Sequence, residues 1–171
     1  FDRAAALRGE SLLTKTVLGK GYIPKEALRY LWLVWGGAPP SDDAAFYEKF
    51  RGRYGFVEAP FDNGGYPLGI RSVDASSVTL DCFTCHATRV AGKTVLGTGN
   101  STLDLQLLFD DLVKLRTIAK SYGFSVPEMP FTIADRTGAP GANDAFGLGL
   151  SLAAAYDPSK PSIHDRAGFQ K

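Results

Sequence analysis

Residues 82–86 read Cys82-Phe83-Thr84-Cys85-His86, and the kind of domain the rest of the chain must build follows from this pentapeptide. On one turn of helix, residues i and i+3 share a face, so the two thiols point the same way and the next side chain projects beside them. C-x-x-C-H is the signature of covalent c-type haem attachment. Both thiols then add to the vinyl groups on one edge of the porphyrin, and the His86 imidazole meets the iron. Thioether bonds make the cofactor permanent whatever its affinity, so a haem edge can be left open to partners. One haem c, bound through Cys82, Cys85 and His86 with His86 as a metal ligand, is the expectation.

Three other chemistries compete for the same residues. A thioredoxin-like redox pair calls for a β-strand running into a helix within an α/β sheet, but strand signals are few and His86 has no role in it. A closed zinc site needs four ligands. The chain has two Cys and two His, and His164 lies far from the pentapeptide in no ligand-spaced motif. A disulfide closing a two-residue loop is strained. Haem attachment accounts for all three residues and leaves no cysteine for a disulfide.

Toward the N-terminus, residues 59–69 hold Pro60, Asn63, Gly64, Gly65 and Pro67, an irregular loop leading into the chemistry. Before it, Ser41 reads as an N-cap followed by Asp42 and Asp43, with Phe46, Tyr47 and Phe50 as the inner face of a helix ending between Gly52 and Gly55. Pro24 opens an apolar run through Leu28, Leu31, Leu33, Val34 and Trp35, predicting a helix buried on most of its circumference, with Trp32 and Trp35 in the core. Ala5, Leu7, Leu12, Leu13 and Val17 give an imperfect helical stripe over residues 2–20, stopping at Gly19 and Gly21.

Toward the C-terminus, Val90 and Val95 flank Ala91-Gly92-Lys93, which allows a short hairpin over residues 89–97. Ser101 with Asp104 forms a capping-box pattern, and Leu105, Leu108, Phe109, Leu112, Leu115 and Ala119 repeat at helical spacing up to Gly123 as C-cap. Residues 124–141 carry Pro127, Pro130, Pro140, Gly138 and Gly141 and read as a loop ordered against something else, with a cofactor as one candidate. Asn143 and Asp144 cap a further helix to about Tyr156, ended by Asp157-Pro158, and a polar tail runs to Lys171.

The chain has 171 residues, 44% of them hydrophobic and 22% charged, with 19 Lys and Arg against 18 Asp and Glu for a net charge of +1. This is the composition of one globular domain or part of a larger one, without the basic field that nucleic acid requires. The longest apolar runs, residues 30–38 and 145–156, fall short of the roughly 18 to 20 needed to cross a bilayer, so no transmembrane segment is expected. The sequence begins at Phe1 with neither an initiator Met nor a secretory leader, as a processed chain or a piece of a longer one does. Haem c is attached outside the cytoplasm in most bacteria, so the signature implies a periplasmic or otherwise exported protein.

A filled sixth iron position transfers electrons, whereas an open one binds oxygen, peroxide or substrate. Met129 is the only methionine. Its loop, Pro127-Glu128-Met129-Pro130-Phe131, resembles the distal loop of small class I cytochromes c, where a thioether raises the potential; a methionine filling a core gap is the plainer alternative. His164 is the alternative distal ligand and gives a bis-imidazole, lower-potential haem. An open or water-bound iron is the third possibility. Arg71, Arg89, Lys93 and Arg136 are candidates to neutralise the propionates, each with a solvated surface charge as its alternative. Phe83, Phe109, Tyr122, Phe131 and Phe146 are candidates to wall the ring, with ordinary core packing as theirs.

Tyr66-Pro67-Leu68-Gly69-Ile70, Leu80-Asp81 with the pentapeptide, Leu96-Gly97-Thr98-Gly99-Asn100 and Asp144-Ala145-Phe146-Gly147 together resemble the N-terminal haem half of di-haem cytochrome c peroxidase-like proteins, and more closely their rubber-oxygenase-like branch. The likeness covers about residues 64–147. It implies a mostly α, cytochrome c-like helical haem domain, normally followed by a second haem domain, with electrons passing between them or oxidative chemistry at one iron. Only one C-x-x-C-H occurs here. The chain is thus a fragment, a subunit whose partner haem lies on another chain, or a single-haem relative, and only Cys82, Cys85 and His86 carry over. The turn at 97–100 is part of the pocket or simply a tight turn before the next helix.

The expected organisation is a helical extension over 1–62, a haem-binding core over 63–156 and a tail over 157–171, joined by long loops. The expected function is one-electron transfer to a redox partner protein or a neighbouring haem subunit, alone or within a larger complex. The competing one is a peroxidase- or oxygenase-like haem half with an open sixth position.

Overall fold

The computed structural model describes residues 2–17, 23–123 and 141. Helix α1 (Arg3–Lys15) is opened by Asp2, whose carboxylate accepts the Ala4 and Ala5 amides at 2.9 and 3.2 Å. It stops short of the expected glycines, because Thr16 turns extended. None of its side chains is buried, and Leu7 and Leu12 are more than half exposed.

Ile23–Pro24 is a short strand, β1, followed by two single-turn helices, α2 (Lys25–Arg29) and α3 (Trp32–Trp35). The single long helix expected here is thus broken. The Leu31 amide tightens onto the Leu28 carbonyl at 3.1 Å, which buries Leu28 and Leu31 together and leaves Trp32 and Trp35 half-buried against the core. Helix α4 (Asp43–Tyr54) is capped by Asp42 rather than Ser41. The Asp42 carboxylate accepts the Ala45 amide at 2.8 Å and the Ser41 hydroxyl at 3.2 Å, bonds that hold it below the ordinary carboxylate range. Phe46, Phe50 and Tyr54, four apart, form the buried stripe. Gly55 ends the helix at φ +72, against the Thr102 carbonyl where a Cβ has no room.

Strands β2 (Ile70–Ser72) and β3 (Ser77–Leu80) form an antiparallel hairpin, and β1 pairs with the other edge of β3. Their turn is built on Asp74, whose carboxylate accepts the amides and hydroxyls of both Ser76 and Ser77 and is thereby pulled down to about 2. After the turn α5 (Cys82–Cys85) comes a second hairpin, β4 (Ala87–Val90) and β5 (Lys93–Leu96), closed over Ala91 and Gly92 at φ +48 and +80. Two successive left-handed residues match the right-handed strand twist, and the hairpin follows the reading of Val90 and Val95 on either side of Ala91-Gly92-Lys93. Helix α6 (Leu105–Ser121) buries Leu105, Leu108, Phe109, Leu112 and Leu115. Its cap is Asp104, which takes the Leu107 amide at 2.9 Å, and Gly123 follows its end at φ +81.

The main core joins Ile23, Leu28, Leu31, Phe46, Phe50, Tyr54, Ile70 and Val78 to Leu103, Leu108 and Phe109, and a smaller cluster gathers Val57, Leu68, Phe83 and Ala87. The mostly α, helical haem-domain expectation is therefore corrected. Among the described residues helix is about 47% and strand 14%, with two small antiparallel sheets. The cause lies in residues 70–80, where β-branched and small polar residues around an Asp74 turn make a hairpin in place of a helix or loop. No helix among the described residues is long and apolar enough to cross a membrane.

Candidate cofactor-attachment site

Strand β3 delivers the chain through Asp81 into α5. The Asp81 carboxylate accepts the Phe83 amide at 2.8 Å and its carbonyl takes the Thr84 amide at 3.1 Å. The His86 amide returns to the Cys82 carbonyl at 2.9 Å, completing one helical turn. That turn is two-sided. Phe83 and Thr84 are buried, Cys82 and His86 are exposed, and Cys85 is half-buried against the main core. Phe83 fills the smaller cluster, and the Thr84 hydroxyl donates to the Gly69 carbonyl at 2.8 Å. Gly69 lies at φ +92 with the Thr84 backbone 2.5 Å from where its Cβ would be, so the turn closes down on bare backbone.

The carbonyl end of the turn is held by residues 97–100. The Gly97 amide donates to the His86 carbonyl at 2.8 Å and the Asn100 amide to the Cys85 carbonyl at 2.9 Å. Asn100 is itself buried, donating to the Gly55 carbonyl at 2.8 Å and accepting the Thr102 amide and hydroxyl at 3.1 and 2.8 Å. The 97–100 turn thus braces the pentapeptide backbone.

Beneath the turn lies a polar knot that spacing did not reveal. Arg71 Nε meets Asp81 Oδ2 at 3.0 Å, both side chains less than a tenth exposed. The same guanidinium donates to Asn63 Oδ1 at 2.6 Å and to the Leu13 and Thr14 carbonyls at 2.8 and 2.6 Å, and it lies 5.3 Å from the Phe61 ring centroid. Asn63 in turn donates to the carbonyls of Tyr66, Pro67 and Ile70. Burial pushes the Asp81 carboxyl up, against the pull of the Phe83 amide and Arg71. The one sequence signal for this knot was an Asp directly before a one-turn helix, an N-cap pattern.

A second buried network, also missed, ties α3, α4 and α6. Asp111, fully buried, accepts Arg53 Nε at 2.7 Å and the Tyr54 hydroxyl at 2.8 Å, while Trp35 Nε1 donates to that hydroxyl at 2.7 Å. Burial pushes the Tyr54 phenol well above its ordinary value.

The structure brings Cys82, Cys85 and His86 together on one turn, as their spacing implied. It withdraws Arg71 from the propionate candidates, because the guanidinium is buried, paired with Asp81 and bonded to Asn63 and the Leu13 and Thr14 carbonyls. Arg89 and Lys93 are exposed on the second hairpin, where Arg89 Nε donates to the Gly92 carbonyl at 3.2 Å. Phe83 and Phe109 are core residues, and Tyr122 is 77% exposed at the end of α6. Met129, Arg136, Phe131, Phe146 and His164 lie outside the described residues.

No disulfide joins Cys82 and Cys85. Among the described residues no three His, Cys, Asp or Glu converge on a common point, which gives a zinc site no support there. The strand missing from the redox-pair case is present, since β3 runs directly into α5. Its sheet is antiparallel, however, and α5 is a single turn. No protein-family model matches the chain, and no curated protein or solved structure matches it either.

Proposed function

We propose that this chain is a c-type haem protein for one-electron transfer, in which Cys82 and Cys85 would attach one haem and His86 would ligate its iron. The observation that carries the proposal is the two-sided turn, in which the two middle residues anchor while Cys82 and the His86 imidazole are left toward solvent and Cys85 lies half-buried beside them. The donor set fits the group, with two thiols at i and i+3 and an imidazole directly after them. When bound, haem supplies an iron that accepts and returns one electron.

The chain's own residues do the positioning. Phe83 and Thr84 pin the turn from below, Asp81 caps its start, and Gly97 and Asn100 hold its end. His86 is fixed at both its amide and its carbonyl, which sets the root of the imidazole. Met129 is the proposed distal ligand, with His164 as the alternative. The proposal makes the protein periplasmic or exported, with a redox partner protein or a neighbouring haem subunit as its electron source or sink.

Production in cells that attach haem c in the periplasm tests this. The expected product keeps its haem through denaturation, and Cys82→Ala and Cys85→Ala each lose one of the two bonds. A low-spin ferrous spectrum that carbon monoxide leaves unchanged marks a filled sixth position, and Met129→Ala against His164→Ala identifies the ligand. Ready carbon monoxide binding turns attention to peroxidase or oxygenase chemistry.

A dithiol redox pair is the second reading, favoured by the strand β3 entering α5. It expects two thiols that titrate and reoxidise reversibly in the mature protein, whereas haem attachment expects none.

A further inference from the structure

A buried ion pair stabilises little, and well-packed apolar residues often replace one without loss. The Arg71–Asp81 pair is buried on both sides, directly before the pentapeptide. Three stretches distant in sequence end on the same guanidinium: the last carbonyls of α1 at Leu13 and Thr14, the loop residue Asn63, and Asp81. A fork of fixed geometry is suited to hold such a set in register, which a single ammonium is not. The α1 carbonyls favour a cation at that helix end, so the positive charge is held in place from a side remote from the turn. The Asp81 carboxylate also takes the Phe83 amide and its backbone carbonyl the Thr84 amide, which fix where α5 begins and hence the direction of Cys82 and His86.

We propose that Arg71 and Asp81 are positioning residues that preset the 82–86 turn for its covalent cofactor, with α1 seated on the same guanidinium as their third support. This rests on the haem proposal above. Asp81 adjoins the attachment residue Cys82, so the two charges also bear on the iron with opposite sign.

The test uses the full chain with haem attached. Asp81→Asn keeps an oxygen for the Phe83 amide and removes the negative charge, and Arg71→Gln removes the positive one. The expected result is a raised midpoint potential for Asp81→Asn, a lowered one for Arg71→Gln, and partial return toward the wild-type value in Arg71→Lys. Shifts in the same direction for both, the mark of simple loosening, overturn the proposal, as does no shift in either.

Should the wild-type chain take up no haem, the haem proposal fails, and amide exchange on the haem-free chain still decides the positioning role. The Phe83 amide, held by the Asp81 carboxylate, is then slow in wild type. In Asp81→Ala it exchanges about two- to thirtyfold faster, the range a lost side-chain cap gives, while the amides of α6 are unchanged. Equal rates at Phe83 in both chains overturn it. If Asp81→Ala does not fold, Arg71→Lys, which takes the guanidinium fork from the Asp81 carboxylate, supplies the comparison, with faster exchange at Phe83 expected and an equal rate overturning it.

Discussion

The two thiols and the imidazole need a floor, and single residues provide it. Gly69 is the tightest of these, at φ +92 with the Thr84 backbone 2.5 Å from its missing Cβ. Gly69→Ala is expected to cost about 1–3 kcal/mol, the range for a side chain forced into such a backbone, read as a lowered urea midpoint. Asp111 has the same standing in the main core, since it is fully buried and its carboxylate holds Arg53 and Tyr54. Asp111→Ala leaves those partners without their acceptor and should cost about 3 kcal/mol, the low end for a broken buried pair, because the Arg53 side chain is 31% exposed. Urea unfolding with an unchanged m-value checks it. The placement of Cys82, Cys85 and His86 on one turn was readable because it rests on local spacing alone. Arg71 was not, because its partners Leu13, Asn63 and Asp81 converge only in three dimensions.

At the scale of elements, the helix starts were legible to within a few residues. Ser41-Asp42-Asp43 and Ser101 to Asp104 each offer several side chains able to cap, and approach of the chain, not composition, selects Asp42 and Asp104. The run after Pro24 is apolar at nearly every position, so its period cannot show the break that buries Leu31. The β2–β3 hairpin escaped notice because its turn is made by an Asp74 carboxylate and not by Asn-Gly or Asp-Gly. That turn carries its own prediction. The ordinary carboxyl value is 3.8 and that of Asp74 in the fold is about 2. Its contribution is therefore complete above about 4 and lost as pH falls through about 2. The Ser76 and Ser77 amide resonances should titrate near 2, and a midpoint near 4 means the carboxylate does not hold them. Asn100 couples elements in a similar way, from the Cys85 carbonyl to the Gly55 carbonyl. Asn100→Ala should cost about 1 kcal/mol through its lost bonds to the Gly55 carbonyl and Thr102, since the Thr102 hydroxyl still reaches that carbonyl at 3.2 Å, measured by thermal unfolding.

Over the whole molecule, the pentapeptide lies between two apolar clusters, with Phe83 in the smaller and Cys85 against the larger. Among the described residues it is accompanied by two small sheets and five other helical segments, so its support is a mixture of strand and helix and not the helical shell that the haem signature alone implied. A five-residue motif specifies a cofactor, but its energy comes from one turn and places no constraint on how the remaining chain buries its apolar surface. The central claim is covalent haem on Cys82 and Cys85. Intact mass spectrometry of the protein, produced where haem c is attached and then denatured, tests it most directly. The account predicts the chain mass increased by one haem, with no titratable thiol remaining. An unmodified chain with two reactive thiols, from cells that load a control c-type cytochrome in parallel, contradicts it.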